Sequence, residues 1–275
     1  MKNPIILLFL FLFSTARSQY FFKDIIGTVE TTTLMKSFID NNVKKVSSAY
    51  FDADGAPTKN YSEEQEVNEN SKLLKITTIN DRNISIISYR FDSLDRLISS
   101  VDLSNGLKST TNYTYDKDGL LTVISNSIID SLQDFTQTEV HQWFYKRDTP
   151  VKMWRIINTL DTLEVRFKTD ENGNVIEEQN FKHGKGDDPI LYYYDNKKRL
   201  TDIVRYNYKA KKLLPDYLFE YDDKNRVIQK ITTLSNFNLG YLTWRYLYND
   251  KGLKIKEALF NKEKKLQGRI EFNYF

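Results

Sequence analysis

From Val43 to the end of the chain, apolar and aromatic residues alternate with polar residues, and turn residues return every few positions. The last segment shows the pattern most clearly, with Leu266, Gly268, Ile270, Phe272 and Tyr274 in one phase and Gln267, Arg269, Glu271 and Asn273 in the other. A period of two predicts β-strands that bury one face. Counting such segments predicts an all-β fold, a long antiparallel meander of about 16–18 strands.

The width of such a sheet limits its shape. At about 4.8 Å per strand, eighteen strands side by side would span roughly 86 Å. Because open twisted sheets rarely exceed about 10 strands, the sheet is expected to curl into an open wrap or a barrel-like form. Residues 28–41 are the one good helix candidate, with Thr28 as the N-terminal cap and Asn41 and Asn42 at the end. We expect this short N-terminal helix to cover an edge of the sheet or to plug one end.

The strands carry a repeat in which Tyr-x-Tyr-Asp is followed by a turn and then by an aliphatic residue. Two copies read Tyr113-Thr-Tyr115-Asp116 and Tyr192-Tyr-Tyr194-Asp195. The anchor residues of the copies are Asp52, Asp92, Asp116, Asp170, Asp195, Asp222 and Asn249. From Asp170 to Asn249 the anchors lie 25, 27 and 27 positions apart, and a recurring unit of this length predicts a row of β-hairpins.

The third residue after each anchor identifies the turn. It is Gly, Asn or Asp in six of the copies and Lys198 in the seventh. A three-residue hairpin loop ends with one residue at positive φ, which Gly, Asn and Asp adopt at least cost. This turn places the anchor opposite the fourth residue after it. The aromatic residue just before the anchor then lies opposite the fifth residue after the anchor. The structural residues predicted for the repeat are Tyr115, Asp116, Gly119, Leu121, Tyr194, Asp195, Arg199, Leu200, Tyr221, Asp222, Arg226 and Val227.

Over roughly residues 88–260, this motif resembles the YD repeat of RHS-type proteins, which are large secreted or surface proteins of bacteria. The residues that carry the resemblance are Tyr115-Asp116-Lys-Asp-Gly119 and Tyr221-Asp222-Asp-Lys-Asn225-Arg226. In that family, such hairpins form a curled wall around a cavity. The resemblance therefore implies a curled, cavity-enclosing sheet.

The N-terminus has the features of a secretory signal peptide. Lys2 precedes an apolar run from Ile5 to Phe13, and small residues follow before a predicted cut ahead of Gln19. We therefore divide the chain into a signal peptide (1–18), a lead segment with a short helix (19–42) and a β-hairpin repeat domain (43–275). The predicted location is exported: secreted, periplasmic or on the outer surface.

Charge and cysteine content narrow the possible partners. Loss of residues 1–18 removes two cations and no acids, so the formal charge becomes nearly neutral, and no basic patch predicts nucleic-acid binding. The absence of cysteine excludes disulfides and the lipid-acceptor residue of a bacterial lipoprotein, and it favours a bacterial origin. No later segment is apolar enough for a transmembrane helix.

The sequence predicts no catalytic, cofactor-binding or metal-binding residue. His141 and His183 lie on different repeats without a partner at metal-ligand spacing, and we interpret both as ordinary strand or loop residues. Asp52-Ala-Asp54-Gly55 and Asp116-Lys-Asp118-Gly119 resemble calcium loops but lack the twelfth-position Glu, so we assign them to turns. The three tryptophans are expected to fill the core, with a sugar-stacking platform as the alternative.

These observations favour an exported, non-enzymatic β-repeat protein that binds a protein or glycan at the cell envelope or serves as a scaffold there. One alternative is an outer-membrane β-barrel, which the strand count, the signal peptide and the terminal Phe275 fit. A second alternative is a glycan-active enzyme, which would need two carboxylates converging from different strands.

Overall fold

The structure is a computed structural model, and it describes residues 20–208, 210–234 and 240–275. The predicted signal peptide, residues 1–18, lies outside the described residues. One helix, α1, comprises Lys23–Asp40. The strands are β1 Lys45–Asp52, β2 Tyr61–Asn68, β3 Leu73–Asn80, β4 Asn83–Phe91, β5 Leu97–Ser104, β6 Leu107–Tyr115, β7 Leu121–Asp130, β8 Phe135–Lys146, β9 Thr149–Ile157, β10 Asp161–Thr169, β11 Val175–Lys182, β12 Lys185–Gly186, β13 Ile190–Tyr194, β14 Leu200–Asn207, β15 Lys212–Tyr221, β16 Val227–Thr233, β17 Tyr241–Tyr248, β18 Lys254–Phe260 and β19 Leu266–Tyr274.

The sheet closes on itself into a barrel. Each strand pairs antiparallel with the next, and β1 pairs with both β2 and β19, from Val46 opposite Tyr274 to Asp52 opposite Gly268. The two-residue β12 pairs only with the end of β11, and β11 pairs with β13 further along, so the ring formed by the described residues contains eighteen strands. The prediction of a barrel-like antiparallel sheet with one short helix is confirmed.

Antiparallel order sorts the turns onto two rims. The near rim carries the C-terminus and the turns after β2, β4, β6, β8, β10, β13, β15 and β17; the far rim carries the turns after β1, β3, β5, β7, β9, β11, β14, β16 and β18. The anchors from Asp92 to Asn249 all lie on the near rim. Asp52 lies on the far rim, together with one further copy of the turn, at Asn261, that the sequence analysis did not identify.

Helix α1 lies inside the barrel. Its N-terminal end contacts β8 through Asp24 and His141, and its C-terminal end contacts β19 through Phe38 and Tyr274. Each end of the helix packs into an apolar cluster. One contains Phe21, Trp143, Met153, Val165, Phe167, Val175, Ile190, Tyr192 and Ile203, and the other contains Met35, Phe38, Val43, Val46, Val67, Leu74, Phe91, Leu97 and Leu253.

The predicted start of the helix was wrong. The helix begins at Lys23, and Thr28 is a buried residue within it whose hydroxyl donates to the Asp24 carbonyl at 2.6 Å. The predicted end is close to the observed one. Asn42 has a φ of 56°, and the amides of Asn42 and Val43 donate to the carbonyls of Ile39 and Phe38. This is a Schellman motif, in which an Asn at positive φ ends the helix.

Candidate functional site: the helix-filled lumen

The repeat residues form the near rim of the lumen. The structure pairs Tyr115 with Leu121, Tyr194 with Leu200 and Tyr221 with Val227, each across a register shift that ends the ladder. The shift is a β-bulge, which inserts one extra residue and allows both members of a pair to face the lumen. The third residues after the anchors have positive φ, including Lys198 at 61°. The predicted turn geometry is therefore the geometry that the structure has.

The anchor carboxylates are used within their own turns. Asp116 Oδ1 accepts bonds from the amides of Asp118 and Leu120, both at 2.9 Å, so this calcium-like segment uses its carboxylate for turn contacts. Asp195 accepts bonds from the backbone amide of Arg199 and from its guanidinium Nε at 2.7 Å, and both bonds lower the pKa of Asp195. Such bonds to their own backbone are what Asp residues supply in turns.

Bonds between neighbouring hairpins were not predicted. Each tyrosine directly before an anchor donates its hydroxyl to a backbone carbonyl of the preceding hairpin, and Tyr145 and Tyr274, which precede no anchor, do the same. The pairs are Tyr115–Leu97, Tyr145–Leu121, Tyr194–Val175, Tyr221–Leu200, Tyr248–Val227 and Tyr274–Lys254, at 2.5 to 2.8 Å. In three copies the arginine after the turn also lies over the next tyrosine ring, as Arg199 does at 4.7 Å from the centre of Tyr221. These contacts join consecutive repeats around the rim.

The backbone amides at the start of the helix donate hydrogen bonds to a side chain of the barrel wall. Glu178, which is fully buried on β11, accepts bonds from the amides of Phe21 at 2.7 Å and Phe22 at 2.9 Å, and from the hydroxyl of Tyr192 at 2.7 Å. These bonds do for the helix what a local Ser, Thr or Asp cap ordinarily does. Burial raises the pKa of Glu178 to about 7, although the three bonds oppose the rise.

A buried charge cluster lies beside this cap. It consists of Asp24 on α1, Glu139 and His141 on β8, and Arg155 on β9. His141 Nδ1 is 2.5 Å from Asp24 Oδ2 and its Nε2 is 2.7 Å from Glu139 Oε1, while Arg155 forms a bidentate pair with Glu139 at 2.9 and 2.7 Å. Two carboxylates and two cations balance the charge of the cluster.

The charges shift the pKa values of the cluster in opposite directions. Burial by itself would lower the pKa of His141, but Asp24 and Glu139 outweigh it and raise the pKa to about 9. Burial would raise the pKa of Glu139, but His141 and Arg155 hold it at about 2. His141 is therefore an imidazolium at neutral pH and donates from both ring nitrogens. It has no free lone pair with which to act as a base or to bind a metal.

Further polar groups line the lumen beside the helix and toward the far rim. Glu257 on β18 is buried and pairs with Lys254. Glu63 accepts bonds from Tyr50 at 3.0 Å and Gln65 at 3.1 Å. The amide of Asn126 donates to the hydroxyls of Ser109 and Thr111, both at 2.8 Å. Thus the far part of the lumen is polar, whereas the near part holds the helix, its apolar clusters and the buried charges that bond to it.

The three tryptophans do not all share one face. Trp143 faces inward and stacks on Phe167, with ring centres 5.1 Å apart, and Trp244 has the inward phase of its buried partner Leu259. Trp154, on the adjacent strand β9, faces outward against Phe144. Within the described residues, no three His, Cys, Asp or Glu side chains are grouped so as to hold a metal ion. In the same part of the chain, no helix combines the length and hydropathy needed to cross a lipid bilayer.

Sequence reasoning treated His141 as an ordinary strand residue and did not single out Asp24, Glu139, Arg155 or Glu178. One signal was available. Glu139 and His141 share the strand phase of Trp143 and Tyr145, so a period-two reading places both on the inward face. Their partner Asp24 lies 117 positions away, and no local pattern indicates that distance.

Comparisons with known proteins show resemblance only at the level of structure. No family model matches the chain, and no curated protein matches it. A porin-like protein from Bacteroides uniformis is similar with a TM-score of 0.40 and 9% identity, over 85% of this chain and 98% of that one. The Tc holotoxin pore of Photorhabdus luminescens is similar with a TM-score of 0.31 and 10% identity, over 86% of this chain and 17% of that one. A complex of TcdB2, TccC3 and Cdc42 is similar with a TM-score of 0.30 and 11% identity, over 81% of this chain and 16% of that one.

Proposed function

We propose that this protein is an exported, non-enzymatic β-barrel that folds around its own N-terminal helix and works in the aqueous part of the cell envelope or outside the cell. Its role there is to bind a protein or glycan or to serve as a scaffold. The observation that carries the proposal is the distribution of polarity across the barrel wall. Inside, the apolar clusters and the helix occupy the near part of the barrel, and outside, ion pairs join neighbouring strands.

The outward ion pairs link neighbouring strands around the barrel. Val46 and Tyr274 pack against the helix and therefore face inward. Because side chains alternate along a strand, the residues next to them face outward. The pairs between adjacent strands are Lys45–Glu64, Lys75–Glu66, Lys168–Glu177 and Lys256–Glu271, with N–O distances of 2.7 to 3.0 Å. The lysines of these four pairs lie within three residues of the near-rim ends of their strands, whereas Arg166 and Glu164, which pair on the same outward face, lie in the middle of β10. On the lipid face of a membrane barrel, a Lys or Arg at mid-depth costs about 2–4 kcal/mol. This surface is therefore suited to water.

The state of the charge cluster supports a non-enzymatic role. Asp24, Glu139 and His141 do converge, as an enzyme reading would require, but they bond one another and Arg155 and are buried beneath the helix. A general acid or base must reach a substrate proton within hydrogen-bond distance. Here both nitrogens of the imidazole are already bonded. The cluster therefore serves to hold the helix in the lumen.

The YD-type relationship of the hairpins to RHS proteins forms part of this proposal. It is supported by the shared Tyr-Asp anchor, the three-residue turn and the curled sheet around an interior. In this chain, the interior that such a wall would enclose is occupied by α1. We therefore expect a protein whose working surfaces are its rims and outer face.

The second candidate function is that of an outer-membrane β-barrel. It is favoured by one observation, the closure of the meander into a ring with an even number of antiparallel strands, which is the form such barrels take. The outward ion pairs favour a barrel that is surrounded by water. The two candidates therefore place the same outward side chains in water or in lipid.

Cysteine labelling separates the two candidates because the chain has no cysteine. Thr77→Cys on β3 and Ser127→Cys on β7 place a thiol on the outward face, and Lys197→Cys places one on a near-rim turn as the control. We expect the protein in the soluble fraction without detergent, with a charged, membrane-impermeant maleimide reacting at all three positions. Retention in the membrane pellet, with positions 77 and 127 protected and position 197 reactive, would establish the membrane barrel instead.

A further inference from the structure

Among the described residues, an apolar patch lies on the outer surface at the far rim, on strands β4, β5 and β7 and the turn after β7. It is formed by large side chains that are 42 to 79% exposed, namely Ile84, Leu103, Ile129 and Leu132. Large exposed apolar patches are unusual on soluble proteins and mark interaction sites. The patch contrasts with the ion-paired surface elsewhere on the barrel.

Half of the patch is a groove. It is lined by Ile84, Ile86, Leu103, Leu107 and Ile129, and its volume is about 450 Å³. Ile86 and Leu103 face each other across β4 and β5, which makes the lining continuous from strand to strand. The groove is wide enough for one or two apolar side chains and is open to solvent.

The other half of the patch is a fixed projection beside the groove. Leu132, in the turn between β7 and β8, is 79% exposed. The turn is held because Asp130 Oδ1 accepts the amides of Leu132 and Gln133, at 2.9 and 3.1 Å, and because the Ser131 hydroxyl donates to the Gly106 carbonyl at 2.9 Å. The backbone of this turn therefore holds the exposed Leu132 side chain next to an apolar groove.

Two charges border the patch. Lys108 lines the groove, and Asp134 follows the projection. Both are exposed, and within the described part of the chain neither forms an ion pair, unlike many of the charged residues on the barrel wall. A cation beside the groove and an anion beside the projection are complementary to each other.

We propose that this patch binds a second copy of the chain in a symmetric dimer. A projection and a groove on the same surface suit a two-fold interface, in which each copy offers both halves. Leu132 of each copy enters the groove of the other, and Lys108 of each copy meets Asp134 of the other. An anionic lipid surface is disfavoured, because Asp81, Asp130 and Asp134 lie among the cations of this rim.

Sedimentation equilibrium on the Cys-free chain tests the interface. We expect a dimer for the native sequence, and at least a tenfold weaker dimer for Leu132→Asp and for Ile84→Asp. The control is Leu160→Asp, because Leu160 is 88% exposed on another far-rim turn, between β9 and β10, outside the patch. This control is expected to dimerise like the native chain. Circular dichroism establishes that each variant is folded.

A charge exchange gives a second readout. Lys108→Glu and Asp134→Lys are each expected to weaken the dimer, because each places like charges together across the two-fold axis. Mixing the two variants is expected to restore association as a heterodimer, in which both ion pairs are present with reversed polarity. A structural defect in either variant would not be repaired by mixing.

Three results would overturn the inference. They are a native chain that is monomeric at about 100 µM, a dimer that Leu132→Asp and Ile84→Asp leave intact, and a mixture of charge variants that associates no better than either alone. Flotation with phosphatidylcholine–phosphatidylglycerol vesicles tests whether the patch binds a lipid membrane instead of a second copy. A monomer that binds these vesicles, and loses binding in Leu132→Asp, would make the patch a membrane contact.

Discussion

The hydroxyl of Tyr221 donates to the backbone carbonyl of Leu200 at 2.7 Å, which joins one repeat hairpin to the hairpin before it. The guanidinium of Arg199 lies over the ring of the same tyrosine, 4.7 Å from its centre. The repeat motif therefore does more than build a turn. Its tyrosine is the contact through which successive hairpins hold one another in register around the rim.

Tyr221→Phe is expected to lower the free energy of unfolding by about 0.5–1.5 kcal/mol, since it removes one hydrogen bond and keeps the ring. The control is Tyr193→Phe, because the Tyr193 side chain is outward and 46% exposed. Urea titration of both variants measures the difference. Equal stability of the two variants would mean that the inter-hairpin bond contributes nothing.

Three substitutions in one turn are expected to lower the free energy of unfolding by different amounts, because each removes a different kind of interaction. Tyr115→Ala should cost most, roughly 3 kcal/mol or more, because it removes an aromatic side chain from the packed rim. Gly119→Val should cost about 1–3 kcal/mol from backbone strain alone, since Gly119 has a φ of 86° and its missing Cβ would meet no atom within 4 Å. Asp116→Ala removes two turn bonds that are partly open to water. Each is therefore expected at the lower end of about 0.5–1.5 kcal/mol, so this substitution should cost least.

Urea titration gives the ranking of these three variants. If Asp116→Ala proved the most damaging and Tyr115→Ala nearly neutral, the aromatic residue would not be the packed member of the repeat. The anchor would then need another role, with metal binding the first to test.

Lys198→Gly is expected to stabilise the protein by about 0.5–1 kcal/mol, because a non-glycine residue at positive φ is strained. Lys198 has a φ of 61° at the position where other copies carry Gly. Lys197→Gly, one position earlier, is the control and should be neutral or destabilising. The melting temperatures of the two variants provide the comparison, and a loss of stability in both would contradict the assignment.

Stability is expected to fall as the pH rises from 4.5 to about 9. The raised pKa of Glu178, about 7, gives stabilisation that is complete below 4.5 and lost as the pH rises through 7. The raised pKa of His141, about 9, gives stabilisation that is complete below 6.5 and lost as the pH rises through 9. The lowered pKa of Glu139, about 2, gives stabilisation that is complete above 4.5 and is lost as the pH falls through 2. The first two effects are each of order 3 kcal/mol.

Glu178→Gln isolates one part of this profile. The stability of the variant is expected to be nearly level between pH 4.5 and 6.5 and to fall between pH 6.5 and about 9, where the histidine is neutral in the unfolded chain but still protonated in the folded one. Glu171→Gln, at an exposed near-rim turn, should retain the native profile. The measurement is urea unfolding at a series of pH values. A native profile that rises between pH 4.5 and 7 would show that Glu178 does not titrate in its buried position.

The local features of the fold were predictable from the sequence. The anchors predicted the near-rim turns and the positive φ of Gly119, Asn225 and Lys198, and the same turns predicted Tyr115 opposite Leu121. These features depend on residues that are only a few positions apart. Steric limits on φ and the geometry of a three-residue loop act within that span, so the residue types alone were sufficient.

Other features depended on the tertiary structure. Strand count required the sheet to curl but left open whether β1 would reach β19. The helix start was misassigned because its cap is Glu178, which lies 157 positions from Phe21. The charge cluster likewise joins residues on α1, β8 and β9. The sequence by itself determined the turns, the strand phases and the repeat, because these follow from local conformational preference. Closure of the barrel, the position of the helix and the pairing of its buried charges were decided by the tertiary structure, because only the curled sheet brings distant residues within bonding distance and excludes water from around them.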